Sequence, residues 1–262
     1  MTAVKAKWAA MSWYRRILLV VMVLEMLAFF CATLFAVNRS GLEYGGSLLF
    51  PGTEGGLSAY EGTVDGEAAR FTVSPEGEVS YQWGAYAYGP WQVTEDPAAA
   101  PEGFGSSMTG LEITQGDRVL FRGGYLGDSF GMLYQENGEP WMEVRFSVSS
   151  GSDTVLFVDG REISPEEQHE PSLTALARVA LDPELVHRGS ILLYLLITLL
   201  ALLNVFQICF PGFFFRLSLL GHVRNIEDAE PSDWYIAMER IEWLVLAGGC
   251  LFLYWQALTV TV

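Results

Sequence analysis

The chain has 262 residues, of which 51% are hydrophobic, with a mean hydropathy of +0.27 and a net charge of −16. That apolar share exceeds the roughly 45–50% of soluble domains even though glycine is not counted in it. The acidity excludes a nucleic-acid partner, because a phosphate backbone requires a basic footprint. Neither property is evenly spread. Apolar residues concentrate at the start and in the last third, whereas residues 38–188 carry 24 Asp/Glu against 8 Arg and no Lys, which is the whole net charge.

Residues 1–16 read as a cytoplasmic N-terminus. Lys5, Lys7, Arg15 and Arg16 stand there with no acidic residue, which by the positive-inside rule keeps this end in the cytoplasm. Residues 17–37 form an apolar run from Ile17 to Val37 with one charge, long enough to cross a hydrocarbon core of ~30 Å as a helix. A cleaved signal peptide has a shorter apolar region and a small-residue exit. The exit at Leu34-Phe35-Ala36 is poor, so an uncleaved anchor is expected.

Residues 38–188 read as an acidic, extracytoplasmic, β-rich domain. From Ala59 to Ile163 apolar residues alternate with period two: Phe71 and Val73; Val79, Tyr81 and Trp83; Met142, Val144, Phe146 and Val148. Turn signals separate these runs, among them Asp65-Gly66, Pro75-Glu76-Gly77, Gln115-Gly116-Asp117 and Glu136-Asn137-Gly138. Seven to nine strands are expected, in a soluble all-β antiparallel sandwich or barrel-like sheet. Residues 95–108 read as one long loop, and Ser172 to Leu185 as a short amphipathic helix returning the chain to the membrane. The domain has no cysteine, so it rests on its own core.

Residues 191–212 hold the second expected span, uncharged from Ile191 to Phe210 and broken by Pro211-Gly212. Residues 213–233 form a cytoplasmic loop, weakly amphipathic at its start and acidic at Glu227-Asp228-Ala229-Glu230. Residues 234–260 form the third span, with Ser232 as N-cap and Asp233 in the first turn. The fold class is thus an integral membrane α-helical protein with three transmembrane helices plus the outer β domain, multi-pass in a cell membrane. Because the cytoplasmic loop is also acidic, and Arg39 and Arg188 flank the outer side, the orientation rests on the basic N-terminus and the soluble character of the middle domain.

Chemistry-bearing motifs are scarce. There is no G-x-S-x-G elbow and no phosphate-cradling Gly-Lys-Ser/Thr. The only lysines, Lys5 and Lys7, lie on the wrong side for a Ser–Lys protease. His169 sits among Glu166, Glu167, Gln168 and Glu170, at a spacing that matches no zinc helix, so no metal and no cofactor are expected. His187 and His222 read as interfacial residues, and Cys31, Cys209 and Cys250 as small apolar packers. Tyr86, Tyr88 and Trp91, near Gly84, Gly89 and Pro90, either line a ligand surface or, as is commoner, pack in the core or a turn.

Glu25 stands out, roughly 12 Å into the first span. A charge at the bilayer centre costs on the order of 2.5–3.5 kcal/mol, so the carboxyl is expected to be neutral or paired. Ala28, Ala32 and Ala36 follow it along one stripe, which predicts a helix-packing face. Matching depths place Asn204 opposite, with Gly248 and Gly249 allowing close approach. An intramembrane polar contact between Glu25 and Asn204 is therefore expected.

The runs Phe121-Arg122-Gly123-Gly124-Tyr125, Asp182-Pro183-Glu184-Leu185-Val186-His187-Arg188-Gly189 and Asp228-Ala229-Glu230-Pro231-Ser232-Asp233-Trp234 resemble a group of uncharacterised bacterial three-helix membrane proteins with an extracytoplasmic β domain. The resemblance spans most of the chain and implies no activity. Two function classes follow from the residues. One is a membrane-anchored extracytoplasmic binding or interaction module, an accessory subunit of a membrane complex, with the lipid bilayer and a membrane protein as partners. The other is a small transport component or membrane enzyme using Glu25. The missing catalytic constellation favours the first.

Overall fold

The computed structural model describes residues 8–9, 11–104, 107–127, 131–143, 145–150, 153–158, 160–164, 167–219 and 230–262. Lys5, Lys7, Val144, Glu166, His222 and the acidic run 227–229 lie outside the described residues. The chain divides into two compact units: residues up to Arg39 together with His187–Val262, and Ser40–Val186 between them.

The first unit is helical. Helix α1 runs over Trp13–Val37, α3 over Ile191–Cys209, a short α4 over Phe213–Leu219 and α5 over Asp233–Thr259; the label α2 belongs to the other unit. Side-chain caps start the later helices where the sequence signals them. Ser190 accepts from the Leu193 amide at 3.4 Å, and Ser232 from the Tyr235 amide at 3.2 Å. Helices α1 and α3 are long and apolar enough to cross a membrane; α5 is long enough but fails the same test of composition. Glu239, Arg240 and Glu242 at one end and Gln256 near the other dilute its apolar stretch. By length and composition the count is two, where the sequence reading expects three.

The three long helices meet along seams that step by three and four residues. On α3 the buried positions are Tyr194, Ile197, Ala201, Asn204 and Ile208; on α5 they are Trp243, Ala247, Cys250, Tyr254 and Ala257. On α1 the seam passes through Met22, Met26, Phe29 and Thr33. This is the heptad spacing of left-handed helix packing. Aromatic rings fill the middle: Phe29 stacks on Tyr254 with centroids 5.1 Å apart, and Tyr194 tilts against Tyr254 at 5.5 Å. The packing face of α1 is thus not the expected alanine stripe. Ala28 is exposed, and only Ala32 and Ala36 are half-buried. Gly248 and Gly249 are exposed as well, and a Cβ at either would meet nothing within 4 Å. Large side chains alternate with small ones at Ala201, Ala247, Cys250 and Ala257, so the small contact residues lie on α3 and α5 and not in the α1 stripe.

The second unit is built on a ten-stranded antiparallel sheet: β1 (Ser40–Tyr44), β2 (Ser47–Glu54), β3 (Leu57–Val64), β4 (Glu67–Val73), β5 (Glu78–Trp83), β6 (Tyr86–Glu95), β7 (Thr109–Gln115), β8 (Arg118–Leu126), β9 (Met132–Gln135) and β13 (Leu185–His187). Strands β1 to β9 pair in chain order as an unbroken meander, and β13 adds to the β1 edge. Strands β10 (Arg145–Ser150), β11 (Asp153–Val158) and β12 (Arg161–Ile163) form a separate three-stranded sheet. The strands before Ala59 escape the sequence reading. Their turns are the pairs Gly45-Gly46 and Gly55-Gly56, all at positive φ, a conformation glycine adopts without penalty.

One continuous core lies on the inner face of the large sheet. Leu49, Phe71, Val79, Tyr81, Trp91, Leu111, Ile113 and Leu133 are essentially inaccessible, and Leu176, Ala177 and Val179 of helix α2 (Leu173–Leu181) complete it. Ser172 caps α2 by accepting from the Ala175 amide at 3.2 Å. Both ends of the meander reach this helix. A cavity of about 430 Å³ beside α2 is lined by Leu42 and Glu43 of β1 and by Gly131, just before β9. The sheet therefore curls around its helix.

Candidate functional site

Two places gather polar groups that the sequence singles out. The first is the middle of the helical unit. Asn204, 1% exposed, donates its amide to the Trp243 main-chain oxygen at 3.0 Å and toward the Met22 sulfur at 3.5 Å. Its own Oδ1 is buried without a partner, as is Oε1 of Glu25. The pairing of Glu25 with Asn204 is thus not formed; Asn204 spends its donors on the neighbouring backbone. Glu25 is half-buried and lies within electrostatic range of Cys250 and Tyr254 on α5. Two further bonds cross the bundle: the hydroxyls of Thr198 and Tyr254 meet at 2.8 Å, and Tyr194 donates to the Met26 carbonyl at 3.2 Å.

The second place is on the β unit. A concavity of about 560 Å³ opens beside Tyr86 and Tyr88 of β6, with Gln115, Ser164, Glu167 and Glu170 on its other sides. The Arg161 guanidinium of β12 lies 3.6 Å from the Glu167 carboxylate. The meander fixes the tyrosines: β6 pairs with β5 in a register that sets Tyr86 opposite Trp83 and Tyr88 opposite Tyr81. Trp83 stacks on Tyr86 at 6.2 Å and on the His169 ring at 3.5 Å, so His169 packs against an indole face. The Glu167 carboxylate accepts from the Ser164 amide at 3.0 Å. Trp91, grouped with these tyrosines in the sequence, is instead 1% exposed and belongs to the core.

Elsewhere on the sheet, acids crowd around single arginines. Arg122 donates to Asp96 at 2.6 Å, lies 3.5 Å from Glu112 and pairs with Glu136. Arg70 pairs with Glu54 and, at 3.1 Å, with Glu61. The hydrogen bond from Arg122, helped by the Ala98 amide, holds the Asp96 carboxyl below the ordinary carboxylate range. Among the described residues no group of three His, Cys, Asp or Glu is placed to hold a metal ion.

Residues 195–256, from the first turns of α3 to near the end of α5, match a family of unknown function, DUF6199. The matched stretch includes Asn204, Trp243 and Tyr254, and leaves the β unit outside. No curated protein and no solved structure matches the chain.

Proposed function

We propose that this chain is a membrane-anchored binding module that takes a ligand bearing an exposed ammonium or guanidinium group on its outer β unit. The observation that carries the reading is the concavity beside Tyr86 and Tyr88, where aromatic faces and the acidic residues Glu167 and Glu170 converge; the exposed Arg161 guanidinium, 3.6 Å from Glu167, is the cation such a ligand would displace. Aromatic faces and carboxylates both attract cations. The surrounding unit adds a negative field, since residues 38–188 hold the whole excess of acids.

In this reading α1, α3 and α5 all span the bilayer, with the N-terminus on the cytoplasmic side and Ser40–Val186 outside. Only 22% and 28% of the apolar windows of α1 and α3 are buried. Leu24, Leu27, Phe35, Leu192, Leu195 and Leu199 are among the apolar side chains left open. A face of that kind in water is an aggregation hazard, whereas in lipid it is the expected surface. Arg15 and Arg16, in the first turn of α1, favour this orientation.

The test is binding of tetramethylammonium and of an oligolysine peptide to the detergent-solubilised full chain. Glu167→Gln, Glu170→Gln and Tyr86→Ala each weaken both ligands several-fold, and Glu139→Gln, on a distant turn, does not. Equal weakening by all four variants leaves only a diffuse acidic surface and defeats the site.

A second reading follows from Glu25, whose Oε1 is buried without a partner. An intramembrane carboxyl of this kind suits a proton-carrying step or a contact with another membrane protein. Proton flux into liposomes that disappears in Glu25→Gln supports it; flux identical to that of empty liposomes rejects the transport form.

A further inference from the structure

A cavity of about 950 Å³ in the helical unit is used by neither reading. It lies where the first turn of α1, the end of α3 with α4, and the first turns of α5 come together. Three arginines line it from three different elements: Arg15 of α1, Arg216 of α4 and Arg240 of α5. None of the three forms an ion pair among the described residues. Phe213 and Trp243 supply apolar wall. Trp243 is 3% exposed, and its indole N–H is buried with no acceptor. Two acids, Glu230 and Glu239, also line the cavity, so the three arginines leave one net positive charge; Arg15 and Arg240 lie within electrostatic range of Glu239, and one Glu239 oxygen accepts from the Gly212 amide at 3.4 Å just past the end of α3.

We infer that this cavity binds the phosphate headgroup of an anionic phospholipid in the cytoplasmic leaflet. The donor set suits that group. Guanidinium forks match phosphate oxygens, and an unpaired buried N–H calls for an acceptor. The position suits it too. All three helix ends at the cavity fall on the cytoplasmic side of the proposed topology, where anionic lipids and basic pockets between helices meet. This site rests on the membrane reading of the preceding section.

The experiment measures lipid retained by the purified full chain in non-ionic detergent, by native mass spectrometry, after exposure to phosphatidylglycerol, phosphatidylcholine or glycerol 3-phosphate. One phosphatidylglycerol per chain is retained in preference to phosphatidylcholine, and it raises the melting temperature. Arg216→Gln and Arg240→Gln each weaken retention about tenfold, as loss of a charge-assisted bond does. Arg216→Lys keeps part of it. Trp243→Phe keeps an aromatic side chain and the main-chain oxygen that Asn204 uses, and loses affinity through the missing N–H; circular dichroism confirms that the variant compared is folded. Equal retention of the two phospholipids overturns the site, as does retention unchanged in the folded Arg216→Gln and Arg240→Gln chains. Stabilisation by glycerol 3-phosphate equal to that by the lipid overturns the lipid assignment in favour of a soluble phosphate. Carbonate washing separates the two levels: a chain released from membranes refutes the membrane reading itself, whereas a chain that stays but retains no anionic lipid refutes only this site.

Discussion

The side-chain amide of Asn204 donates to the main-chain oxygen of Trp243 at 3.0 Å, tying α3 to α5 at a seam position whose neighbours along α3 are Ala201 and Ile208. One buried asparagine in an otherwise apolar heptad fixes register at some cost in stability. Here the cost is visible in the unpartnered Oδ1. Asn204→Leu removes that orphan and fills the volume, whereas Asn204→Ala removes the bond and leaves a gap. Unfolding in mixed micelles therefore shows the alanine variant about 1–2 kcal/mol less stable than the leucine variant. The reverse order contradicts the assignment of Asn204 as a register residue.

Small residues give a second contrast. A Cβ at Gly123 would come within 2.2 Å of the Tyr134 carbonyl oxygen, so Gly123→Ala must displace backbone between β8 and β9 and costs about 1–3 kcal/mol. Gly248 has open space at its Cβ, and Gly248→Ala strengthens α5 by about 0.5–1 kcal/mol. Thermal unfolding of both variants decides the matter. A destabilised Gly248→Ala chain shows that the glycines are packed after all.

Burial raises the phenols of Tyr81 and Tyr125 above their ordinary value of ~10; for Tyr81 the nearby Tyr44 and Tyr88 add to it, and for Tyr125 Asp182 does. A raised phenol pKa favours the protonated folded form. Its stabilising share is complete below the unfolded value of ~10 and is lost as pH rises toward the folded value. Ultraviolet titration of the full chain should show these two tyrosines ionising only together with alkaline unfolding of the sheet. Free ionisation near pH 10 with the fold intact would count against their burial.

The Asp96 carboxyl carries the opposite sign. Its folded value lies below the ordinary ~3.9, so the bond to Arg122 contributes above that pH and is lost as pH falls through the folded value. In Arg122→Gln the carboxyl returns to the ordinary range, and the acid limb of unfolding changes little because the pair is exposed. Carboxyl infrared titration of the variant and the parent checks this.

What the sequence made legible was local. The long apolar helices, the cap at Ser232, and alternation such as Phe71 and Val73 follow from nearest-neighbour chemistry. The first two strands were hidden by four glycines that read as a loop and act as hairpin turns. The face of α1 was misjudged because small residues were taken as the contact, while Met22 and Phe29 find Asn204 and Tyr254 as partners that only the assembled bundle supplies. For Trp91, beside Gly89 and Pro90, the sequence left a ligand surface and the core both open, and the register of β6 turns it inward. The cavity at the inner helix ends joins Arg15 to Arg240, residues far apart in the chain, and no spacing rule connects them.

The meander has a consequence for biogenesis. From β1 to β9 every strand hydrogen-bonds the one made immediately before it. Such local pairing gives low contact order and rapid folding. The sheet can thus zip up progressively behind α1 while the rest of the chain is still being delivered. The one distant closure, β13 beside β1, waits until residue 187 has emerged, directly ahead of the helix that begins at Ile191.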